Sequence, residues 1–336
     1  MGRNTTSGEK KAFTFSFIVS ESKVMKDIIE LAKKVAPLKT PVLISGESGT
    51  GKELIARAIH YSSPRTHAPF VPVNCGAIPA TLIESELFGH TKGAFTGATS
   101  DKKGLFAAAH KGTLLLDEIG EMPLDLQPKL LRALEEEEVR PVGSSELVTY
   151  DIRFIFASNK DLTEETKRGK FREDLLYRIN VFPINIPPLR ERGEDINALA
   201  LGFVQKYSAE NNKSIRGISP EALAMLRHHS WPGNVRELEN VIQQTVLLLP
   251  EGQEEIGETD LPITLEKRSL ERKKRLFKES LDKKLSIEDY TRAFIQKYEK
   301  DHTEKELASL LGITPKTLWK KRKLWNMPSK KGDYKK

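Results

Sequence analysis

The chain is predicted to form an α/β domain with a parallel five-stranded sheet and helices on both faces, then an all-α lid and a small C-terminal helical domain. Three observations predict this fold. Short apolar runs alternate with helical patterns between about residues 15 and 186, which is typical of strands joined by crossover helices. A glycine-rich loop follows the first of these runs. Pro187-Pro188 then ends the alternation, and residues 189 to 262 show only helical patterns.

The five predicted strands are short runs of mostly apolar residues, as expected for parallel strands that are covered on both faces. They are Val42 to Ser45, Phe70 to Asn74, Thr113 to Leu116, Ile152 to Ala157 and Val181 to Ile186.

Composition places the chain among soluble globular proteins. Its 336 residues allow two or three domains, and 38% are hydrophobic while 30% are charged. Cys75 is the only cysteine, which excludes an intrachain disulfide, and no apolar run is long enough to span a bilayer. A cytoplasmic protein with no membrane partner is therefore expected.

Charge is unevenly distributed along the chain. Residues 263 to 336 contain 22 Lys and Arg against 11 Asp and Glu, whereas the remainder contains 32 against 36. This asymmetry favours nucleic-acid contact at the C-terminal end, with a solvated basic helix as the alternative.

The glycine-rich loop has the residue types of a phosphate-binding loop between a strand and a helix. Glycines let successive backbone N–H groups turn towards an anion, a lysine adds positive charge, and the next helix directs its N-terminus at the same point. The loop residues are Gly46, Glu47, Ser48, Gly49, Thr50, Gly51, Lys52 and Glu53. An ordinary glycine-rich surface loop is the alternative. Glu53 stands where Ser or Thr usually holds Mg²⁺, so the metal needs other carboxylates.

A pair of carboxylates follows the third predicted strand, as in a Walker B motif. Asp117 and Glu118 come directly after Leu114-Leu115-Leu116. At the tip of a parallel strand beside the phosphate loop, Asp117 can hold Mg²⁺, and Glu118 can polarise the attacking water and reach the metal through it. The alternative is an acidic helix cap.

The C-terminal residues predict a helix-turn-helix. Thr303 and Glu306 form a capping box, Gly312 ends that helix, and Thr314 caps the next. The second helix is expected to bury Leu318, with Trp319 as a further candidate. Its predicted open side carries the expected DNA-binding residues Lys316, Thr317, Lys320, Lys321 and Lys323. A purely structural three-helix bundle remains the alternative.

Two glycine-flanked segments carry a resemblance to a known family. The run from Glu84 to His90 (ESELFGH) precedes a hexapeptide (GAFTGA) made of Gly93, Ala94, Phe95, Thr96, Gly97 and Ala98. With the phosphate loop and Asp117-Glu118, these segments make the chain resemble the bacterial enhancer-binding proteins, the AAA+ ATPase activators of sigma-54 RNA polymerase, from about residue 15 to the end. The resemblance implies ATP and Mg²⁺ as cofactors and contact between the hexapeptide and the sigma factor.

Other residues receive their roles from this resemblance. Asn74 resembles the switch that holds Glu118 away from its water, and Asn159 resembles the sensor I residue at a strand tip. Arg178 is the first choice for an arginine finger and Arg172 the second. Arg236 resembles the sensor II arginine of the lid.

The resemblance also implies a ring of subunits, expected to be a hexamer, in which the finger reaches a neighbour's nucleotide. The expected domains are a polar tail (1–14), the α/β domain (15–186), the lid (187–262), a charged helical linker (263–285) and the helix-turn-helix domain (286–336). Since only some twenty residues precede the ATPase domain, either the protein is controlled in trans or the chain has been shortened.

The predicted function is ATP-dependent activation of the sigma-54 RNA polymerase holoenzyme from an upstream site on double-stranded DNA. Two alternatives remain at this point. One is an AAA+ remodeller of a different target, and the other is a DNA-binding repressor that responds to nucleotide.

Overall fold

The computed structural model describes residues 14–262, 287–299, 303–325 and 327. The predicted tail, apart from Thr14, and the predicted linker over 263–285 lie outside these residues. The chain divides into two compact units, Met1–Pro262 and Ile263–Lys336.

The first unit is built on a five-stranded parallel sheet. Its strands are β1 (Val42–Ser45), β2 (Phe70–Asn74), β5 (Thr113–Asp117), β8 (Arg153–Ser158) and β9 (Phe182–Asn185). They lie side by side in the order β2-β5-β8-β1-β9. All neighbouring strands in it run parallel. The predicted five-stranded parallel sheet is therefore confirmed, and its strand ends differ from the prediction by at most one residue.

The first unit contains further helices and short strands besides the five-stranded sheet. The helices of the first unit are α1 (Lys23–Val35), α2 (Lys52–Tyr61), α3 (Ala80–Phe88), α4 (Leu105–Ala108), α5 (Gln127–Glu136), α6 (Leu162–Lys167), α7 (Glu173–Ile179), α8 (Gly193–Glu210), α9 (Pro220–His228) and α10 (Asn234–Leu248). The two-residue strands are β3 (Gly89–His90), β4 (Lys102–Lys103), β6 (Glu138–Val139), β7 (Val148–Thr149), β10 (Gly217–Ile218) and β11 (Glu255–Ile256).

The sheet lies between two hydrophobic cores, as the alternation of side chains along a strand requires. On β5, Leu114 and Leu116 belong to the core formed with α3, α5 and α7, whereas Leu115 belongs to the core formed with α1 and α2. All three leucines are fully buried. Helices on both faces were predicted, and they are present.

Arg153 is a buried charge that the sequence pattern did not reveal. It lies on the central strand β8 with 1% of its surface exposed. Its guanidinium donates to the backbone oxygens of Ala36 and, at 2.9 Å, Val35, where α1 ends. Burial lowers the pKa of Arg153 to about 10. The side chain thus caps the end of α1: it is the donor to the Ala36 carbonyl and a second donor to the Val35 carbonyl, which also accepts from Leu38 N–H at 3.0 Å.

Replacing Arg153 with alanine is expected to lower the free energy of unfolding by about 3 kcal/mol or more, because a cavity forms and the carbonyls of Val35 and Ala36 each lose the hydrogen bond from the guanidinium. Denaturant unfolding measures this change. Arg153→Met, which fills the volume without restoring a donor, is expected to fall between alanine and wild type. An alanine variant as stable as the wild type would contradict this account.

The prediction of a wholly helical lid was wrong in one detail. β10 and β11 form a two-stranded parallel pair in which Gly217 aligns with Glu255 and Ile218 with Ile256. Ile218 and Ile256 are buried, which gives the pairing its stabilisation. Two-residue strands are too short to produce a period-two pattern, so nothing in the residue order indicates them.

The second unit contains α11 (Ile287–Tyr298), α12 (Glu304–Leu310) and α13 (Pro315–Leu324). Its core includes Ile295, Leu307, Ala308 and Leu318. The predicted capping box is present, because Glu306 N–H donates to Thr303 Oγ1 and Thr303 N–H donates to Glu306 Oε2. Gly312 follows α12 with a φ of 67°.

Trp319 is not a core residue of this unit. Its side chain is 42% exposed, while Leu318 is fully buried and Arg322 is 3% exposed. Arg322 lies one turn after Leu318 on the same helix face. It pairs with Glu299 at 3.0 Å and Glu304 at 2.9 Å, so an arginine takes the place expected for an apolar side chain.

None of the described helices combines the length and the apolar character that crossing a membrane requires.

Candidate nucleotide-binding site

The carboxyl ends of four adjacent strands bring the predicted site residues to one edge of the sheet. β1 leads into the phosphate loop, β5 ends at Asp117, β2 ends at Asn74, and Asn159 follows β8. Asn74 and Asp117 are partners in the strand register. Ligands of parallel α/β sheets bind at this edge, because loops from neighbouring strands converge there.

The phosphate loop has the backbone geometry that its glycines permit. Gly46, Gly49 and Gly51 have φ values of 154°, 78° and 103°. A side chain at Gly46 would also place its Cβ 2.7 Å from the backbone oxygen of Ile186. Helix α2 begins directly after Gly51, so its N-terminal N–H groups point into the loop.

Lys52 is held inside the loop as a buried cation. Its ammonium donates to the backbone oxygens of Gly46 at 2.8 Å and Glu47 at 3.0 Å. Burial lowers the pKa of Lys52 from its ordinary value, and the charges of Asp117 and Glu118 oppose this change. An anionic ligand would therefore find a lysine that is already positioned and only partly solvated.

Asp117 and Glu118 occupy the tip of β5 with a defined geometry. The Asp117 carboxylate accepts a hydrogen bond from Glu118 N–H at 2.9 Å. Glu118 has a φ of 52°, a left-handed conformation that is uncommon for glutamate and clusters at functional sites. Gly76 packs against it so closely that a Cβ there would lie 2.6 Å from Glu118 Oε2. The backbone thus fixes where this carboxylate points.

Asn74 lines the same pocket as Glu118, but the hydrogen bonds of its side chain are made to other groups. Its side-chain oxygen accepts hydrogen bonds from Gly76 N–H at 2.8 Å and Ala77 N–H at 3.0 Å. Within the described part of the chain, no hydrogen bond joins Asn74 to Glu118. The contact implied for a glutamate switch is therefore not formed in this conformation.

These groups line a single pocket of about 420 Å³. The lining residues predicted from the sequence are Ser48, Gly49, Gly51, Lys52, Glu53, Asn74, Asp117, Glu118 and Arg236. Arg236, on α10 of the lid, reaches to 3.4 Å from Ser48 Oγ. Glu53 forms an ion pair with Arg57 at 2.6 Å on the helix surface.

The other end of the pocket was not predicted. It is lined by Phe17 and Val19 from the segment before α1, by Leu199 and Phe203 from α8, and by Glu239 from α10. Leu199 and Phe203 are four residues apart on one helix face, but this spacing does not reveal what the face contacts. By residue type, the wall of the pocket therefore has a charged part beside the strand tips, here called the charged end, and an apolar part formed by Phe17, Val19, Leu199 and Phe203, here called the apolar end.

A divalent cation fits the charged end by its donor chemistry. Asp117 and Glu118 supply carboxylate oxygens beside the phosphate loop, and Mg²⁺ is commonly bound by one or two carboxylates together with substrate phosphates and water. The described residues contain no group of three or more His, Cys, Asp and Glu side chains arranged to hold a metal by themselves.

Comparison with known proteins identifies the family. The family described as the Sigma-54 interaction domain matches residues 18–185, and the family described as the AAA+ ATPase lid domain matches residues 190–276. This chain belongs to the sigma-54 interaction domain family.

Relatives with this domain include bacterial regulators. Regulatory protein AtoC of Escherichia coli (strain K12) is 55% identical over 237 residues, or 70% of this chain and 51% of AtoC. Transcriptional regulatory protein ZraR of Escherichia coli (strain K12) is 44% identical over 302 residues, or 90% of this chain and 67% of ZraR. The chain spans about half the length of AtoC and of other curated relatives.

A solved structure has the same fold. NtrX from Brucella abortus, crystallised in complex with ADP, matches with a TM-score of 0.72 and 31% sequence identity, over 92% of this chain and 70% of that chain. NtrX was also crystallised in complex with ATP. The predicted AAA+ α/β fold with its lid is therefore confirmed.

The hexapeptide of this sigma-54 interaction domain forms a compact turn between β3 and β4. Gly93 N–H donates to the backbone oxygen of Ala98 at 2.8 Å, and Gly93 and Gly97 have φ values of 83° and 107°. Phe95 is 40% exposed and lies edge-on to the His90 ring at 5.0 Å. Thr96 is exposed at the tip. The turn therefore presents a partly covered aromatic ring and a hydroxyl to solvent.

The two candidate finger arginines of the domain lie outside the pocket of their own chain. Arg172 is exposed and pairs with Asp174 through bonds of 3.0 and 2.6 Å. Arg178 is exposed on α7, and its guanidinium donates to the backbone oxygen of Leu134 at 3.4 Å. Asn159 is also exposed and does not line the pocket.

The five candidate DNA-binding residues do not share one face of α13. Lys316, Lys320 and Lys323 recur at helical spacing and are exposed, whereas Lys321 lies over the Trp325 ring at 5.1 Å on another side. Thr317 Oγ1 is 2.8 Å from Thr314 Oγ1 at the helix start. Three lysines thus form the exposed face, with the Trp319 ring beside them, 5.3 Å from Lys323 Nζ.

Proposed function

We propose that the chain is an ATP-dependent activator of sigma-54 RNA polymerase. The observation that carries this proposal is the presence, in one domain of the sigma-54 interaction family, of a phosphate loop with two carboxylates and an exposed glycine-flanked turn. The phosphate loop and the carboxylates supply the groups needed to hydrolyse a nucleotide. The exposed turn offers a surface that hydrolysis can move.

ATP is the proposed nucleotide. Lys52 and the loop from Gly46 to Gly51 would hold its phosphates, while the apolar end of the pocket would receive the base. The NtrX complexes with ADP and ATP support this choice because their fold matches over most of this chain.

Hydrolysis is assigned to the residues at the strand tips. Glu118 would orient and deprotonate the attacking water, with Asn159 as a second polar group near it. Asp117 would hold Mg²⁺, which neutralises phosphate charge when bound. Asn74 would release or restrain Glu118 according to the nucleotide state.

We assign the arginine finger to Arg178, with Arg172 as the second choice, and place it in a neighbouring subunit's site. Since both arginines lie outside the pocket of their own chain, a site with a finger requires a second copy. Head-to-tail contacts of this kind close into a ring, for which a hexamer is proposed.

The remaining parts would connect the ring to the promoter. Gly93, Ala94, Phe95, Thr96, Gly97 and Ala98 would contact sigma-54, and the helices of the second unit would bind double-stranded DNA upstream. Lys316, Lys320 and Lys323 are the strongest candidates for phosphate contacts, since they share one exposed face. The domain boundaries expected from the sequence are retained in this proposal.

Transcription in vitro tests the proposal. Open-complex formation at a sigma-54 promoter should require the protein, the sigma-54 holoenzyme and hydrolysable ATP. Activation with a non-hydrolysable analogue would refute the mechanism, and ATPase activity without any effect on the promoter would favour a remodeller of a different target. Regulation that persists in a Glu118→Gln protein would instead favour a nucleotide-responsive repressor.

Replacing Thr96 with alanine is expected to abolish open-complex formation while leaving ATP turnover within about threefold of wild type, because Thr96 is exposed and distant in sequence from the pocket. Parallel transcription and ATPase assays measure the two effects. Thr99→Ala is the matched control, since Thr99 is also exposed but lies outside the hexapeptide. Equal losses in both variants would contradict a specific role for Thr96.

A further inference from the structure

Four consecutive residues of the phosphate loop are bonded to the lid. Arg190 donates to both carboxylate oxygens of Glu47, at 2.9 and 2.7 Å. The lid also reaches the backbone oxygens of Ser48, Gly49 and Thr50, which accept hydrogen bonds from Asn234 Nδ2 at 3.0 Å, Val235 N–H at 3.0 Å and Arg192 Nη2 at 2.8 Å. Loop and lid are therefore in direct polar contact from Glu47 to Thr50.

Asn234 is at the centre of this contact. Its side-chain oxygen accepts from Leu189 N–H at 2.7 Å, and its Nδ2 donates to Glu47 Oε2 at 3.1 Å as well as to Ser48. The residue is fully buried and has a φ of 53°, a conformation that asparagine tolerates better than most residues. Each polar atom of this amide is therefore satisfied, in one orientation only.

The phosphate loop and the lid also pack closely against each other. A Cβ on Gly49 would lie 2.3 Å from the backbone oxygen of Gly233. On the same side of the lid, Asp195 is fully buried and accepts hydrogen bonds from Glu21 N–H, Ser22 N–H and Ser22 Oγ, at 2.7, 2.7 and 2.9 Å. This second contact fixes the segment that carries Phe17 and Val19 of the pocket wall.

We infer that Asn234 is a positioning residue that, with Glu47 and Arg190, latches the lid to the phosphate loop so that phosphate occupancy and lid position change together. The second half of this inference rests on the proposed nucleotide binding. Lys52 now donates to the backbone oxygens of Gly46 and Glu47. A bound phosphate would accept the hydrogen bonds of the Lys52 ammonium in place of these backbone oxygens. The Glu47 peptide would then be free to move, and with it the Glu47 carboxylate that binds Arg190 and Asn234.

The sharpest test is Asn234→Asp in the full chain. Aspartate keeps the shape and the acceptor for Leu189 N–H, but it presents an oxygen to the Glu47 carboxylate and the Ser48 carbonyl. The contact then becomes repulsive. Adding Glu47→Gln supplies an amide donor to the introduced aspartate, so the double variant should recover part of what the single variant loses.

Lid position is measured without nucleotide by spin-label distances between Lys34→Cys on α1 and Gln244→Cys on α10, both exposed positions. The native Cys75 does not interfere, because it is buried and its thiol pKa is raised to about 12. Wild type should give one narrow distance distribution. Asn234→Asp should broaden it, and Asn234→Asp with Glu47→Gln should narrow it again.

Nucleotide coupling is measured with a fluorescent ATP analogue. Asn234→Asp should raise its Kd about tenfold, and adding the analogue should no longer shift the label distance. Glu30→Gln, which removes an exposed ion pair of 2.7 Å on α1, is the control and should change neither quantity.

A distance distribution and a Kd equal to those of wild type in Asn234→Asp would overturn the inference. If Asn234→Asp fails to fold, Glu47→Gln alone decides, because Glu47 is partly exposed and its loss should still broaden the distribution. A wild-type chain that binds no nucleotide would refute the proposed function and the coupling, while the nucleotide-free distances would still decide whether the latch holds the lid.

Discussion

Replacing Arg178 with alanine is expected to lower ATP turnover about 10³- to 10⁵-fold while leaving nucleotide affinity within a few-fold of wild type. An arginine finger acts on charge that develops in the transition state, so its loss affects turnover rather than ground-state binding. Steady-state ATPase assays and equilibrium binding measure the two quantities. Arg168→Ala is the matched control, since Arg168 is an exposed arginine that pairs with the nearby Glu165 at 3.0 Å.

Arg172→Ala discriminates between the two candidates. A large loss of turnover there, with Arg178→Ala near wild type, would transfer the finger role to Arg172. Arg172 donates to the Asp174 carboxylate in the free chain, so it would have to leave that partner to act.

Mixing two inactive variants tests whether the site is shared. Arg178→Ala subunits retain Glu118, and Glu118→Gln subunits retain Arg178. In a randomly mixed ring about one seam in four would contain both groups, so the mixture should regain activity that neither variant has alone. A mixture as inactive as its components would argue against a finger supplied by a neighbour.

Glu118→Gln is expected to reduce turnover about 10²- to 10⁴-fold, because the amide cannot accept the proton of the attacking water. Affinity for ATP should stay within about twofold of wild type, since Lys52 and the loop are unchanged and glutamine fits the space against Gly76. Single-turnover hydrolysis and equilibrium binding separate the two effects.

Glu121→Gln is the control for the glutamate variant. Glu121 lies three residues further on, pairs with Lys160 at 2.9 Å and does not line the nucleotide pocket. Its variant should hydrolyse ATP at nearly the wild-type rate. An equal loss of ATP turnover in Glu118→Gln and Glu121→Gln would mean that negative charge in this region, rather than a base at Glu118, supports hydrolysis.

Much of the fold and of the charged end of the site was predictable because the signals are local. A run of apolar residues followed by glycines, a lysine and a helical stripe specifies strand, loop and helix within some twenty residues. The same holds for Thr303, Glu306 and Gly312, whose chemistry sets the ends of a helix. The ends of all five predicted strands of the sheet lie within one residue of the observed ends.

The apolar end of the pocket was not predictable in this way. Phe17, Leu199 and Phe203 come from segments nearly two hundred residues apart, and each has the pattern of an ordinary core residue. Arg153 is the opposite case, a charged residue that is buried on a central strand. It is buried there because α1 ends beside it and its last carbonyls accept hydrogen bonds from the guanidinium. Trp319 was a candidate for burial by its type, yet the helix face turned inwards carries Arg322.

By itself the sequence determined the glycine-rich loop between strand and helix, the carboxylates at the third predicted strand and the order of helices and strands. Backbone conformation and charge at neighbouring positions are sufficient for these features. Only the tertiary structure decided the strand order β2-β5-β8-β1-β9, the wall of the pocket and the bonding of Asn234 to Glu47. Such contacts join residues far apart in the chain, and they depend on which buried surfaces pack together.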